Sequence, residues 1–561
     1  MLSRLKKRRW HIIILALLTL AMVLPGLASL PVIDRDEARF AQASVQMADT
    51  NDLLNINFQD EARNKKPAAA YWAQTAMIEV FSRDGENRIW AQRLPSVLAS
   101  LLSILALYWG GLRMVGRKAA LMACALLATS LIFVFESHIA KTDAMLCAST
   151  TVMFASLGRL RNSAGRREVW AFWVALGLSI MIKGPIGPVL AIMSLVCLWI
   201  WERDLSWARP LLNWGAIVLF VLIWLPWGIA MYVITDGAFY IESLGKDFGG
   251  KVISGQESHG APPGSHGFAI WATLWPASLF LLPGLAYAIQ SVRSGAENPV
   301  IRSMKLAICW ALPFWILIEI MPTKLPHYGL PVFPALCLMM GAAILAMSQT
   351  TEFAKTRFFG GLIFILSTTL VLGALLYAQS VYGDLEKALV GYAICGASGV
   401  VAILAGFALW GNKIRVSFGA ALISGMIAMV GAYAYILPNL TEFRTSEYLT
   451  AELERFAPNV ESSLIHSPHY TEPSLVYHVG TDIHLKAREV DLSDGSLVIL
   501  NTRRQETENL GRVLSDAAEK RGLCLARSKP VKGFNYSKGN PLDLVILKEV
   551  PCEALSQAEP S

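Results

Sequence analysis

Three carboxylates and two guanidiniums fall within eight residues at Asp34-Arg35-Asp36-Glu37-Ala38-Arg39-Phe40-Ala41, directly after an apolar stretch. In a chain otherwise built for lipid, charges gathered at a membrane surface mark a candidate site. On a helix, Asp36, Arg39 and Phe40 share one face, while Glu37 turns about 100° away. Flanking arginines favour an ionised Asp36. Such a carboxylate can orient an acceptor and take its proton late in a displacement. Arg39 either steadies it or meets an anionic substrate; an intrahelical Asp–Arg pair at a helix start is the alternative. Asp36 and Glu37 are therefore the catalytic candidates.

Further polar side chains stand at the ends of later apolar runs. Lys65-Lys66-Pro67 places two cations just before a helical pattern that includes Tyr71. Proline pre-sets the first turn, and a helix N-terminus adds backbone donors, so the pair suits phosphate or an anionic lipid headgroup. Lys141-Thr142-Asp143 sits at the outer end of a span, where an Asp needs a cavity or a partner such as Lys141. Lys183 lies in a tight outer turn, facing a site or snorkelling. Lys324-Leu325-Pro326-His327-Tyr328 brings a cation, an imidazole and a phenol into one turn. His259 and His266, with Glu257 and Glu242, could offer ligands from one loop, but their spacing fits no standard metal site.

The elements that must carry these residues are membrane helices. The chain of 561 residues is 54% hydrophobic and 16% charged, with mean hydropathy +0.46. Soluble domains average about 25% charged residues, so the composition points to a polytopic membrane protein. Apolar runs place about thirteen spans, near 11–30, 89–111, 118–135, 139–158, 169–183, 185–201, 211–234, 268–290, 303–321, 328–347, 357–380, 386–410 and 415–437. The net charge of +7 comes from Lys and Arg in alternate short loops, beginning at Arg4–Arg9 and recurring through Arg113 and Arg117, Arg159–Arg167 and Lys413. That is the bias of cytoplasmic loops rather than a nucleic-acid patch, and it excludes nucleic acid as the partner. The N-terminus is then cytoplasmic, and an odd span count puts the C-terminus outside, in an inner-membrane, multi-pass topology. The first apolar run, ending at Ala28-Ser29-Leu30, reads as an uncleaved helix rather than a signal peptide.

Two units follow: a transmembrane part, 1–437, with long outer loops at 31–88 and 235–267, and a tail, 438–561. In the tail, β-like runs (Ser463–His466, Ser474–Tyr477, Ser496–Leu500, Leu544–Leu547) alternate with helical ones (446–457, 506–521). They predict a small periplasmic α/β domain. Six of eight cysteines lie in spans, whereas Cys524 and Cys552 share the outer tail and could pair.

Together these pieces resemble the bacterial polyprenyl-phosphate-dependent glycosyltransferases of GT-C type, related to 4-amino-4-deoxy-L-arabinose lipid A transferase and protein O-mannosyltransferase. Asp36-Glu37-Ala38-Arg39-Phe40-Ala41 resembles that family's Asp-Glu-x-Arg-Tyr-Ala. Lys66-Pro67-Ala68-Ala69-Ala70-Tyr71-Trp72 resembles its Lys-Pro-x-x-x-Tyr-Trp. Thr142-Asp143-Ala144, the Lys324–Tyr328 turn and Glu472-Pro473-Ser474-Leu475-Val476 are similar to later segments. The resemblance covers nearly the whole chain. It implies thirteen spans, a periplasmic C-terminal domain, and transfer of a sugar from a polyprenyl phosphate to lipid A, a surface glycan or protein Ser/Thr. It makes Asp36 the catalytic carboxylate. By resemblance Arg39 and Lys66 match cationic positions near the donor phosphate, and Asp143 and Tyr328 match further pocket residues. Lys65, Tyr71, Lys183, His259 and Lys324, read from the residues themselves, are substrate-binding candidates beside them. A lipid-linked donor also accounts for a chain without a Gly-rich nucleotide loop.

Two positions depart from the pattern. Where the arabinose transferases carry a Glu before Lys-Pro, a metal-binding candidate, this chain has Lys65, which leaves a divalent-metal cofactor open. Their Tyr after the Arg is Phe40. The competing class, a flippase or transporter of lipid-linked sugars, predicts repeats and charges near the bilayer midplane. Here the charges gather at the outer rim.

Overall fold

The computed structural model describes residues 2–82, 88–162, 165–253, 260–349, 352–485, 492 and 495–556. It is mostly helical. Seven helices among the described residues are long and apolar enough to cross a membrane, or up to nine if each of two bent pairs counts as one span. The chain is a multi-pass membrane protein.

The first ten helices are α1 (Leu2–Val23), α2 (Asp36–Thr50), α3 (Ala69–Phe81), α4 (Ile89–Met114), α5 (Arg117–Thr129), α6 (Leu131–Ser137), α7 (Asp143–Asn162), α8 (Arg166–Lys183), α9 (Ile186–Glu202) and α10 (Trp214–Ile234). Their environments follow their composition. In the span Pro326–Met347 89% of the residues in its apolar window are buried, whereas in α10, apolar on every face, 17% are, as suits a helix on the outside of the bundle. Small residues let the central helices approach closely. A methyl group added at Gly341 would meet the backbone of Ala119 and Ala123 on α5, and one at Gly110 would meet Ala155 on α7.

Two expected spans are not straight helices. The run 118–135 breaks between α5 and α6 with a 62° bend. Leu131 N–H, released from the helical ladder, donates to Trp275 O at 2.8 Å. The run 268–290 bends by 114° between Ser265–Thr273 and Ala277–Arg293. The first break matters for function, because it directs α6 and the turn after it, with Glu136 and Lys141, towards α2. The turn between α8 and α9 holds Gly184 at φ +66°, a backbone that a side chain would strain.

The long first loop contributes α2 and α3. Asp36 and Glu37 occupy the first turn of α2, where carboxylates meet the positive end of the helix dipole. Beyond 438 the chain carries a mixed sheet. Its strands are β3 (Ile465–Ser467), β4 (His484–Leu485), β5 (Leu497–Asn501), β6 (Leu523–Arg527), β7 (Val531–Asn535) and β8 (Asn540–Pro551), numbered after β1 (Asn57–Phe58) and β2 (Glu61–Ala62) in the first loop. The order is β4-β3-β5-β8-β6, with β7 also on β8. The run Ser474–Tyr477, read as strand-like, is instead helical within Pro473–Val479. Pro473 at the helix start outweighs the short apolar pattern. Cys524 and Cys552 form a disulfide.

Candidate active site

A cavity of about 370 Å³ opens where α2, the turn before α3, the start of α7, the α8–α9 turn, Ile241–Gly249 and Pro326–Val332 converge. Asp36, Arg39, Lys65, Lys66, Asp143, Lys183 and Tyr328 all line it. Residues almost 300 positions apart in sequence thus share one wall. Leu146, Ile186, Val189, Phe314, Leu317 and Ile318 line the cavity too, and supply an apolar surface beside the charged one.

Asp36 faces the cavity from the first turn of α2. Burial by itself would raise its carboxyl, but Lys141, Arg63 and His327 outweigh it and hold the group below the usual carboxylate range. It is therefore an anion at neutral pH. Arg39, one turn on, lines the same cavity.

A network of buried charge underlies this carboxylate. Lys183 Nζ donates to Asp143 Oδ1 at 2.5 Å, and Lys141 Nζ lies 3.5 Å from Asp143 Oδ2 and 3.2 Å from Glu136 Oε1. His327 bridges the two acids, with Nδ1 3.5 Å from Glu136 and Nε2 3.8 Å from Asp143. Two lysines and two carboxylates thus share one buried cluster. Lys183 also lies over the Tyr328 ring, 5.9 Å from its centroid.

The second wall is basic. Lys66 is ion-paired with Asp247, which Lys251 also meets at 2.7 Å. Burial lowers the Lys66 ammonium to about 8 despite that pairing. Arg63 donates to Tyr71 Oη at 3.1 Å, and its guanidinium lies 5.2 Å from the centroid of Phe40. Phe40 in turn stacks on Tyr71 with centroids 4.8 Å apart. Tyr71 is buried and does not line the cavity. It holds Arg63 and Phe40 in place.

Glu37 and Lys324 also stand apart from the cavity. The Glu37 carboxylate accepts from Arg93 Nε (2.9 Å) and Nη2 (2.8 Å), and from the backbone N–H groups of Ala140 and Ile33 (both 2.8 Å). Both side chains of this ion pair are fully buried. Arg93 spends its remaining donors on the carbonyls of Leu27, Leu30 and Pro31. The expected catalytic position at Glu37 is thus a structural cross-link, because the helical rotation after Asp36 sends it into the protein. Lys324 reaches the carbonyls of Ile318, Glu319 and Met321 and caps a helix end. His259 lies outside the described residues.

Arg63, Asp247, Lys251 and Glu136 were not singled out in the sequence. Glu136 carried a usable signal, a lone acid in the apolar run Leu131–Ser137. Arg63, Asp247 and Lys251 lie in polar loops and carried none. For a divalent metal this wall does not fit, because Lys65, Lys66 and Lys251 line it with ammonium groups. Among the described residues no three His, Cys, Asp or Glu side chains converge as ligands.

An ionised carboxylate facing a cation-walled cavity in a helical bundle, with an apolar flank, suits transfer from a lipid-linked phosphate donor. The comparisons agree on that class. The family model described as dolichyl-phosphate-mannose-protein mannosyltransferase matches residues 65–229. The chain is 27% identical over 416 residues to the undecaprenyl phosphate-alpha-4-amino-4-deoxy-L-arabinose arabinosyl transferase of Erwinia tasmaniensis, covering 70% of this chain and 72% of that one. It is 26% identical over 363 residues to the enzyme of the same name from Pseudomonas aeruginosa, covering 61% of each. Among solved structures, ArnT from Cupriavidus metallidurans bound to undecaprenyl phosphate superposes with a TM-score of 0.70 at 16% identity, over 96% of this chain and 97% of that one. The apo oligosaccharyltransferase of Archaeoglobus fulgidus gives 0.52 at 12% identity, over 86% and 65%. These structural likenesses are of fold. The resemblance drawn from the motifs is borne out: the chain is similar to undecaprenyl phosphate-dependent arabinosyl transferases over most of its length.

Proposed function

We propose that this protein is an integral-membrane glycosyltransferase that moves a sugar from a polyprenyl-phosphate carrier to a cell-envelope acceptor, such as lipid A or a surface glycan. The observation that carries the reading is an ionised Asp36 lining the same cavity as Lys66 and Lys183. In the step it supports, an acceptor oxygen attacks the anomeric carbon and the bond from that carbon to the phosphate oxygen breaks. The electron pair leaves with the polyprenyl phosphate, and an acceptor hydroxyl gives its proton to Asp36. The lysines neutralise charge growing on the leaving phosphate, which is where electrostatic catalysis has most to offer. The apolar flank takes the first isoprene units. Arg39 steadies Asp36 or the phosphate, and Asp143 and Tyr328 complete the pocket. Glu37, Tyr71 and Lys324 act by holding its walls.

The reading keeps about thirteen spans in the inner membrane and an N-terminus in the cytoplasm, on the apolar runs and the Lys/Arg bias of alternate loops, and a periplasmic α/β domain at 438–561. The Cys524–Cys552 disulfide is consistent with an oxidising compartment for that part. Transfer to protein Ser/Thr is the less favoured acceptor, because the relatives are named as aminoarabinose transferases.

The decisive measurement is transfer of a labelled sugar from a polyprenyl phosphate by the purified protein in nanodiscs, paired with mass spectrometry of envelope lipids from cells with and without it. Asp36→Asn should lower transfer by at least about 100-fold, with expression unchanged. Full activity in that variant would sink the assignment of Asp36.

A further inference from the structure

Apart from Arg39, assigned above to Asp36 or the phosphate, the cavity cations left over once the ion pairs are assigned are Arg63 and Lys65. Lys66 and Lys251 share Asp247, and Lys141 and Lys183 are matched by Asp143 and Glu136. Arg63 and Lys65 line the cavity and form no ion pair among the described residues. Arg63 is 9% exposed, fixed by Tyr71 and Phe40. Lys65 stands exposed on the wall. Arg63 acts on the Asp36 carboxylate without pairing with it, and a guanidinium buried this far is stabilised further when a ligand brings an anion.

The surplus exceeds what the carrier supplies. Even with Asp36 set against Arg63, Lys65 and the Lys66–Asp247–Lys251 group each keep one positive charge. The phosphodiester of a polyprenyl-linked sugar carries one negative charge and neutralises one of them. An ammonium on the sugar would add to the excess, whereas a carboxylate would cancel it. Arg63 is suited to the second role, because its planar fork matches a carboxylate in two-point contact.

We propose that Arg63 and Lys65 seat a carboxylate on the transferred sugar, so that the donor is a polyprenyl-phosphate-linked acidic sugar of the uronic type. This rests on the donor class proposed above and names its cargo. The two cations would otherwise serve the carrier phosphate, and the experiment separates these roles. The full-length protein in nanodiscs is offered three short-chain polyprenyl-phosphate sugars that differ only in the sugar: glucuronic acid, glucose and 4-amino-4-deoxyarabinose. Binding is read by competition against labelled polyprenyl phosphate. The acidic donor should bind at least about tenfold more tightly than the neutral one, and the amino sugar most weakly. In Arg63→Gln and Lys65→Gln the acidic-to-neutral ratio should fall towards one; Lys65, being exposed, gives a variant whose folding is not at issue. An acidic donor binding no better than the neutral one overturns the proposal. So does a parallel loss for all three donors in the variants, which would assign both cations to the phosphate. Failure of every donor to bind would remove the functional reading itself, and the inference with it.

Discussion

At the scale of single residues, the site works by holding charges in states that water would not favour. Lys66 is the clearest case. Burial brings its ammonium down to about 8, although Asp247 pulls the other way. The cation is present below that pH and is lost above it. Affinity for an anionic carrier should therefore be level from pH 6 to 7 and fall about tenfold by one unit above the midpoint. Lys66→Arg should flatten that fall, since a guanidinium stays charged throughout. A pH series of binding of a polyprenyl-phosphate-linked sugar, a diester whose single charge is constant over this range, to both proteins checks the sign; a lysine-independent profile in the parent would count against Lys66 as a phosphate ligand. Asp36 is held in the opposite sense, as an anion below the usual carboxylate range, so the base proposed above stays ionised across the same window.

Helices and turns position these groups, and the Glu37–Arg93 pair joins them. Its hydrogen bonds reach the end of the first apolar run, the loop before α2, α4, and the turn at Ala140 that leads into α7. Four separate segments thus depend on one buried ion pair. Removing one partner of such a pair costs roughly 3–5 kcal/mol, because the other charge is left buried. We expect Glu37→Ala to lower the thermal stability of the detergent-solubilised protein by that order. Arg93→Met with Glu37→Leu, which removes both charges, should recover much of the loss. A Glu37→Ala protein as stable as the parent but catalytically dead would return Glu37 to the chemistry.

Across the whole molecule, the C-terminal segment reaches back to the residue two before Asp36. Asp34 Oδ1 accepts from Ser474 N–H at 2.8 Å, its own N–H donates to Tyr536 Oη, and Arg35 donates to Ser537 O at 3.2 Å. Arg35 holds φ +52° between them, a strained conformation fixed from both sides. Burial raises the Asp34 carboxyl to about 7, against the lowering effect of Ser474, with Glu472 adding to the rise. A carboxyl raised in the folded state favours the fold most fully below its unfolded value near 3.8. That contribution is lost as pH rises through about 7. Asp34→Asn should therefore be more stable than the parent at pH 8, by a margin that narrows at pH 5, as melting curves would show. A margin independent of pH would remove Asp34 as the titrating group.

Much of this protein was written in its sequence. Hydropathy is a local property, so the membrane class and most helices follow from apolar runs. The candidate residues Asp36, Lys66, Asp143 and Tyr328, which line one cavity, were legible because each stands near the end of an apolar run, where an isolated charge or phenol has a visible cost. Glu37 shows the limit. It neighbours Asp36 in sequence, yet one helical step sends it to Arg93, and no local pattern names a partner 56 positions away. Ser474–Tyr477 shows it again, since an apolar run of four fits a strand or a helix until the preceding Pro473 and its packing decide. Arg63, Asp247, Lys251 and Glu136 acquire meaning only where loops distant in sequence meet. By itself the sequence determined which residues must lie in lipid and which charges stand at its edge, because that depends on transfer from water alone. Only the tertiary structure decided which charges cancel and which remain for a ligand, because ion pairing is set by distances that folding creates.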